Sequence, residues 1–274
     1  MADKKGKISF LEARPLGIGR LTALALSPRA RRGLLIGSTR GLYQVPDMEA
    51  RLWRVRPHSV AYLLSGEEGA VCYEEVSGHG RLAVLTGRLE ERMVDERLAR
   101  KINPKAFWKN GLIIHHQGTF AYLDFDTSDR RKLADFVPTR TIGPFARVDE
   151  GYEFIAVQRG PHWPTFLHRM VLPDDGPIGG KLVTVAKAED PIFPRLFLPL
   201  PGGDYLVAPQ GEAMLEVYKV FTGGTPGLRT WSLTSIPDEA RPVGLVLFEN
   251  RLIAACSDVL LIFELSEDLL GPPN

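Results

Sequence analysis

The sequence predicts an all-β chain: a single β-propeller of about six blades. Three observations predict it. A short-strand motif recurs six times, the recurrence length matches one four-stranded blade, and an apolar segment ahead of the first repeat is placed to close a ring.

Each repeat sets a small or polar residue before a short apolar strand. A turn rich in Gly, Ser, Asp or Gln follows, and then a second apolar strand. The six segments begin at Gly33, Arg81, Gly111, Tyr152, Asp204 and Arg251. Anchored on Leu34, Leu82, Leu112, Phe154, Tyr205 and Leu252, they are 48, 30, 42, 51 and 47 residues apart. A four-stranded propeller blade takes about 40–45 residues. Further apolar runs precede most anchors, starting at Leu21, Val60, Ile142, Leu196 and Val243, and these are expected to be the innermost strands. A blade is a twisted sheet with two apolar faces that only its neighbours can bury, so the repeats must pack on one another. A closed ring also leaves only short sheet edges.

Closure needs a strand that joins the two ends of the chain. Residues 8–13 alternate loosely and are expected to form the outer strand of the last blade, whose own strands stop at Leu265. The expected organisation is a flexible tail at residues 1–7, a propeller over 8–266 and a C-terminal tail at 267–274. The 30-residue step is the irregular one. It is followed by a charged stretch with Met93, Leu98 and Ile102 at helix-like spacing and a stop at Asn103-Pro104, which predicts a short helical insertion near residues 89–102. A second charged stretch, 127–136, suits a short helix or a polar hairpin turn. The alternative architecture is a pair of β-sandwich domains divided near Pro138 or Pro173.

Composition agrees with a globular chain. Of 274 residues, 44% are hydrophobic and 24% charged, and 27 Gly with 21 Pro suit a fold with many turns. Cys72 and Cys256 lie far apart in apolar runs, which points to buried thiols in a reducing cytoplasm rather than a disulfide framework. No apolar run approaches the length of a membrane helix, and no signal peptide is expected at the N-terminus. The formal net charge of +1 conceals an asymmetry: residues 1–56 hold 12 Lys/Arg against four Asp/Glu, and the remainder is net −7. Such a dipole can steer an anionic partner.

Motifs of chemistry are missing. There is no nucleophile elbow, phosphate loop or dinucleotide fingerprint. Gly17-Ile18-Gly19 precedes a strand, so it cannot place a phosphate at a helix N-terminus. The signatures of WD, kelch and sialidase propellers, and the calcium ligands of lactonase-type enzymes, are absent too. His115 and His116 are neighbours on a strand and point to opposite faces. His162 and His168 could bind zinc with an acid such as Asp124, but a partly exposed loop histidine beside a core histidine is the favoured account of them. No catalytic residue, cofactor or metal is therefore predicted.

The candidate binding surface combines the basic turns at Arg29, Arg31, Arg32 and Arg40 with the aromatic positions Trp108, His162 and Trp163. Exposed Trp and Arg are typical interface anchors, and loops carry such sites. The competing reading of the basic segment, which includes Arg54 and Arg56, is that its arginines pair with acids such as Glu67, Glu68, Glu74 and Glu75.

The repeats starting at Leu34 and Leu252 resemble blades of β-propeller repeat proteins in general, over roughly residues 8–266. The stand-alone, motif-poor architecture is also similar to propeller components of bacterial MoxR–von Willebrand factor A ternary conflict systems. That resemblance implies a scaffold beside an ATPase and carries over no residue. The expected function is thus a cytoplasmic, non-enzymatic protein–protein interaction scaffold with an acidic protein partner, an accessory subunit of a bacterial, defence-related complex. The alternatives are a hydrolase or lyase at the central channel, and nucleic-acid binding through the basic first blade.

Overall fold

The computed structural model describes residues 8–28, 32–48, 51–95, 103–116, 119–134, 140–148, 151–159, 165–173, 183–187, 194–200, 205–209, 214–219, 228–229, 234–235 and 241–270. The first described strand is β1 (Ile8–Pro15). The first sheet is β2 (Leu21–Leu26), β3 (Leu34–Ser38), β4 (Gly41–Val45) and β5 (Trp53–Arg56). The second is β6 (Ser59–Ser65), β7 (Gly69–Val76), β8 (His79–Thr86) and β9 (Glu91–Asp95). The third is β10 (Asn103–Trp108), β11 (Gly111–His116), β12 (Thr119–Asp124) and β13 (Arg130–Ala134). The fourth is β14 (Arg140–Val148), β15 (Gly151–Arg159), β16 (Thr165–Pro173) and β17 (Val183–Lys187). The fifth is β18 (Pro194–Pro199), β19 (Tyr205–Pro209), β20 (Met214–Lys219) and β21 (Leu228–Arg229), with β22 (Thr234–Ser235) also on β20. The sixth is β23 (Pro242–Phe248), β24 (Arg251–Cys256) and β25 (Val259–Leu265), with β1 as its fourth strand. All pairings are antiparallel.

The innermost strands pack in sequence around a ring: β2 on β6, β6 on β10, β10 on β14, β14 on β18, β18 on β23, and β23 back on β2. Closure is as the sequence predicts. β1 pairs with β25 from Ile8↔Leu265 to Pro15↔Val259, so the chain's two ends share one sheet. One expected boundary shifts: α1 (Glu267–Leu270) is a single turn, and its Leu269 is buried in the core between the fifth and sixth sheets.

Strand alternation builds the core. In β7, Ala70 and Cys72 join the seam with the first sheet, while Val71 joins the seam with the third. In β24, Leu252, Ala254 and Cys256 face the fifth sheet, and Ile253 and Ala255 face the first. Successive residues point to opposite faces, so a strand of apolar residues serves two seams at once.

The expected helical insertion is not formed where it is described. Residues 91–95 are β9, the outer strand of the second sheet; residues 96–102 lie outside the described residues. The reason is that an outer strand also has two faces to bury. Met93 packs toward the third sheet and Val94 toward the first, a period of two that overrides the helix-like spacing. Asn103-Pro104, read as a helix stop, opens β10 instead.

The short 30-residue step also has a structural explanation. The second strand of the second sheet is β7, whereas Leu82 lies on the third strand, β8. Second strands begin at residues 34, 69, 111, 151, 205 and 251, so the spacing is 35, 42, 40, 54 and 46. The acids Glu74 and Glu75 make β7 look less like a core strand than β8.

A regularity unseen in the sequence recurs in each of these six sheets. The inner strand shifts register, by a one-residue bulge in the first half of five strands, between Leu21 and Ala23, Val60 and Tyr62, Pro104 and Ala106, Pro194 and Leu196, and Pro242 and Gly244, and by a longer irregularity between Ile142 and Ala146 in the middle of β14. A bulge leaves one residue unpaired and bends the strand. Three of the residues before the irregularity are proline, which has no N–H to lose from the ladder. Carbonyls at these positions take bonds from the preceding sheet. Thr22 Oγ1 donates to the Val60 carbonyl at 2.5 Å, and Tyr62 Oη donates to that of Pro104 at 2.6 Å. Burial pushes the Tyr62 hydroxyl pKa up, so it stays a donor at neutral pH.

The small residue at the start of the second strand has a steric cause. A Cβ at Gly69 or Gly111 would overlap the carbonyl oxygen of Leu85 or Leu123 on the adjacent third strand.

Candidate functional site

Each sheet has two ends. One carries the turns between inner and second strands, the other the turns between second and third strands and the links between sheets. The predicted surface is divided between them. Arg32 stands just before β3, at the first end, and Arg40 just after it, at the second end; both are exposed. A five-residue strand separates the two levels by roughly 17 Å. Trp108 closes β10 at the end that holds Arg32. It is half-buried, edge-on to Tyr122 at 5.2 Å, with the Lys109 ammonium 4.4 Å over its ring. Arg29, Arg31, His162 and Trp163 lie outside the described residues.

At the second end of the first sheet, the structure gathers three arginines. Arg20 lies in the link from β1 to β2, Arg40 in the β3–β4 turn and Arg54 on β5, and all three are exposed. They are tied together through the main chain. The Thr39 amide donates to the Arg20 carbonyl at 2.9 Å, and Arg40 Nη1 donates to Gly17 O at 3.3 Å. Arg54 Nη2 donates to Arg40 O at 2.6 Å and to Pro57 O at 2.8 Å. Among the described residues no carboxylate forms an ion pair with any of the three. Sequence reasoning included Arg54 only as part of a basic run and gave Arg20 no role. The missing signal is spatial, since Arg20 and Arg54 meet Arg40 across loops from different parts of the chain.

Arg56, from the same basic run, behaves oppositely, as the pairing reading expects. Arg56 leaves the first sheet to meet buried Glu74 on the second. Arg56 Nε donates to Glu74 Oε1 at 2.6 Å and Nη2 to Oε2 at 3.0 Å, while Arg81 Nε donates to Oε2 at 2.7 Å. Arg56 Nη1 also reaches Glu91 at 2.5 Å. The Glu74 side chain is fully enclosed. Burial alone would raise its pKa, but the hydrogen bonds and charges of Arg56 and Arg81 outweigh that and hold it below the usual carboxylate value. The Arg56 pKa is raised in turn, chiefly by its bond to Glu74. Cys72 lies beside the pair, its Sγ 4.0 Å from Glu74 Oε1. Desolvation and then the Glu74 charge push the thiol up to about 12, so it is not a nucleophile at neutral pH.

The inner strands enclose a central channel with a cavity of about 720 Å³. Among the described residues its wall is mainly aliphatic, including Leu26, Leu64, Leu196, Leu198, Leu245 and Leu247. Polar lining residues stand near its ends: Thr22 and Lys105 at the bulges, and Ser27, Ser65 and Glu67 at the opposite mouth. A hydrolase or lyase needs acids and histidines gathered at one mouth, and the described lining holds Glu67 and no histidine. Among the described residues no group of three His, Cys, Asp or Glu side chains could hold a metal. Asp124 instead organises its own turn: its Oδ1 accepts from the Thr127 and Asp126 amides, which lower its pKa.

No protein-family model and no curated protein sequence matches the chain. Solved structures do. A chain of the crystal structure of the Mitotic Checkpoint Complex is 10% identical with a TM-score of 0.60, covering 96% of this chain and 94% of that one. The N-terminal domain of Nup159 is 10% identical with a TM-score of 0.51, covering 97% of each chain. The PQQ-bound aldose sugar dehydrogenase of Streptomyces coelicolor is 14% identical with a TM-score of 0.53, covering 96% of this chain and 99% of that one. The chain is a β-propeller. At these identities the likeness concerns the fold, and the propeller carries both assembly and enzyme chemistry among these structures. No helix among the described residues is long and apolar enough to cross a membrane.

Proposed function

We propose that the protein is a non-enzymatic protein–protein interaction scaffold, and that it recognises an acidic segment of its partner through the second end of the first sheet. The observation that carries this reading is the group Arg20, Arg40 and Arg54. Their guanidinium charges are uncompensated by any described carboxylate, and Arg40 and Arg54 are steadied by main-chain carbonyls. Such preorganised arginines lose little freedom on pairing with carboxylates and favour fast, salt-sensitive encounter. Trp53, 53% exposed on the outer strand β5, offers an apolar anchor on the same sheet. The fold supports the reading by precedent, since a similar chain belongs to the Mitotic Checkpoint Complex. In its finer form the reading makes the chain an accessory subunit of a bacterial, defence-related complex, acting in the cytoplasm.

The test is purification of the full chain from its native host beside a variant carrying Arg20→Glu, Arg40→Glu and Arg54→Glu. The expected result is a stoichiometric protein partner with the native chain and its loss from the variant. Absence of any stoichiometric partner, or equal recovery by both, overturns the proposal. Recovery that nuclease treatment abolishes would assign the same arginines to nucleic acid instead.

A further inference from the structure

We infer that the central channel is a binding site for a single-chain amphiphile with an anionic head, such as a medium-chain carboxylate. This inference rests on the channel and is independent of the arginine rim. The cavity of about 720 Å³ falls within the size range of small-molecule sites. Leu196, Leu198, Leu245 and Leu247 come from the fifth and sixth sheets, and Leu26 and Leu64 from the first and second. The described lining offers water few of the two to four polar partners that hold it in a cavity, so an apolar solute is the better occupant there.

The bulges give the site its polarity. They present Thr22, Ala61, Lys105 and Val243 to the channel at one level. Thr22 spends its proton on the Val60 carbonyl. Among the described residues Lys105 supplies the cation at this level, and an ammonium has three donors, enough to serve a head group beside an existing contact. From this level β2 runs past Leu26 to Ser27 at the other mouth, five residues on and roughly 17 Å away, which suits an extended chain. An anionic head at Lys105 would leave the alkyl tail along the leucines.

The experiment is displacement of 8-anilinonaphthalene-1-sulfonate from the full chain by laurate and by dodecyltrimethylammonium, below their micellar concentrations. We expect saturable binding of one laurate per chain, with the cationic analogue at least about tenfold weaker. Lys105→Glu should reverse that preference, and Ala61→Trp, which fills the lumen from an exposed bulge position, should weaken both by about tenfold or more. Ala25→Trp serves the same purpose if the first variant fails to match the native circular dichroism. No saturable binding, a head-group preference unchanged by Lys105→Glu, or binding unchanged in a folded lumen-filling variant overturns the inference.

Discussion

The first sheet is bounded by two seams of unlike chemistry. Toward the sixth sheet, Leu34, Ile36 and Val45 meet Ile253, Leu260 and Ile262, all buried. Toward the second sheet, Leu35 and Leu42 meet Ala70, Cys72, Ala83 and Leu85, and the same alternation then brings Glu74 into the seam. The side chains of the first seam are held by dispersion and the hydrophobic effect, with the Leu21 amide donating to the Ser257 carbonyl at its edge. The second includes a buried carboxylate that is tolerable because both its oxygens accept bonds from guanidinium groups. The lesson is that period-two alternation decides which seam a residue enters. Whether a charge can stay there depends on partners supplied from another sheet, here Arg56.

Glu74→Ala should have the largest effect. It strands two partly buried guanidinium groups and should cost about 3–5 kcal/mol, read as a fall in urea midpoint. Ile253→Ala in the hydrophobic seam should cost about 2–5 kcal/mol by transfer and cavity terms. An Ile253→Ala loss far exceeding that of Glu74→Ala would mean the ionic seam is dispensable. Replacing Arg56, Glu74 and Arg81 together by Met, Leu and Met should be neutral or stabilising by about 1–4 kcal/mol, because the desolvation cost vanishes with the charges. A loss as large as that of Glu74→Ala would show instead that the network is worth more than a hydrophobic seam.

The smallest effect concerns acid. The folded pKa of Glu74 lies below its unfolded value near 4.5, so its contribution is complete above that pH and is lost as pH falls through the folded pKa. Thermal melts between pH 6 and pH 3 should therefore converge for the native chain and Glu74→Gln at the acid end. Parallel curves throughout that range would count against the linkage.

Much of the fold was legible because it depends on local pattern. The inner strands that contain the apolar runs from Leu21, Val60, Ile142, Leu196 and Val243, and the closing role of residues 8–13, follow from those runs and the need to cover sheet edges. The errors clustered in the second sheet. β7 carries Glu74 and Glu75, which leaves Leu82 on β8 as the more apolar anchor, and β9 carries enough charge to resemble a helix. The prolines at positions 104, 194 and 242 are a sequence signal for the inner-strand bulges, because each sits where the ladder needs no N–H.

The candidate surface was less legible. Arg40 was chosen from the sequence, but grouping it with Arg32 ignored that a strand places its two flanking turns at opposite ends. Arg20 and Arg54 join Arg40 only through loops, by hydrogen bonds to main-chain oxygens. Alternating apolar runs and turn residues, local properties of the chain, determined by themselves that this protein is a ring of small antiparallel sheets. Which arginines stay exposed together, which one is drawn into a seam by Glu74, and how apolar the channel is were decided only by the tertiary structure. The physical reason is that these depend on pairings between residues far apart in the chain, and a strand's period specifies its faces but not its neighbours.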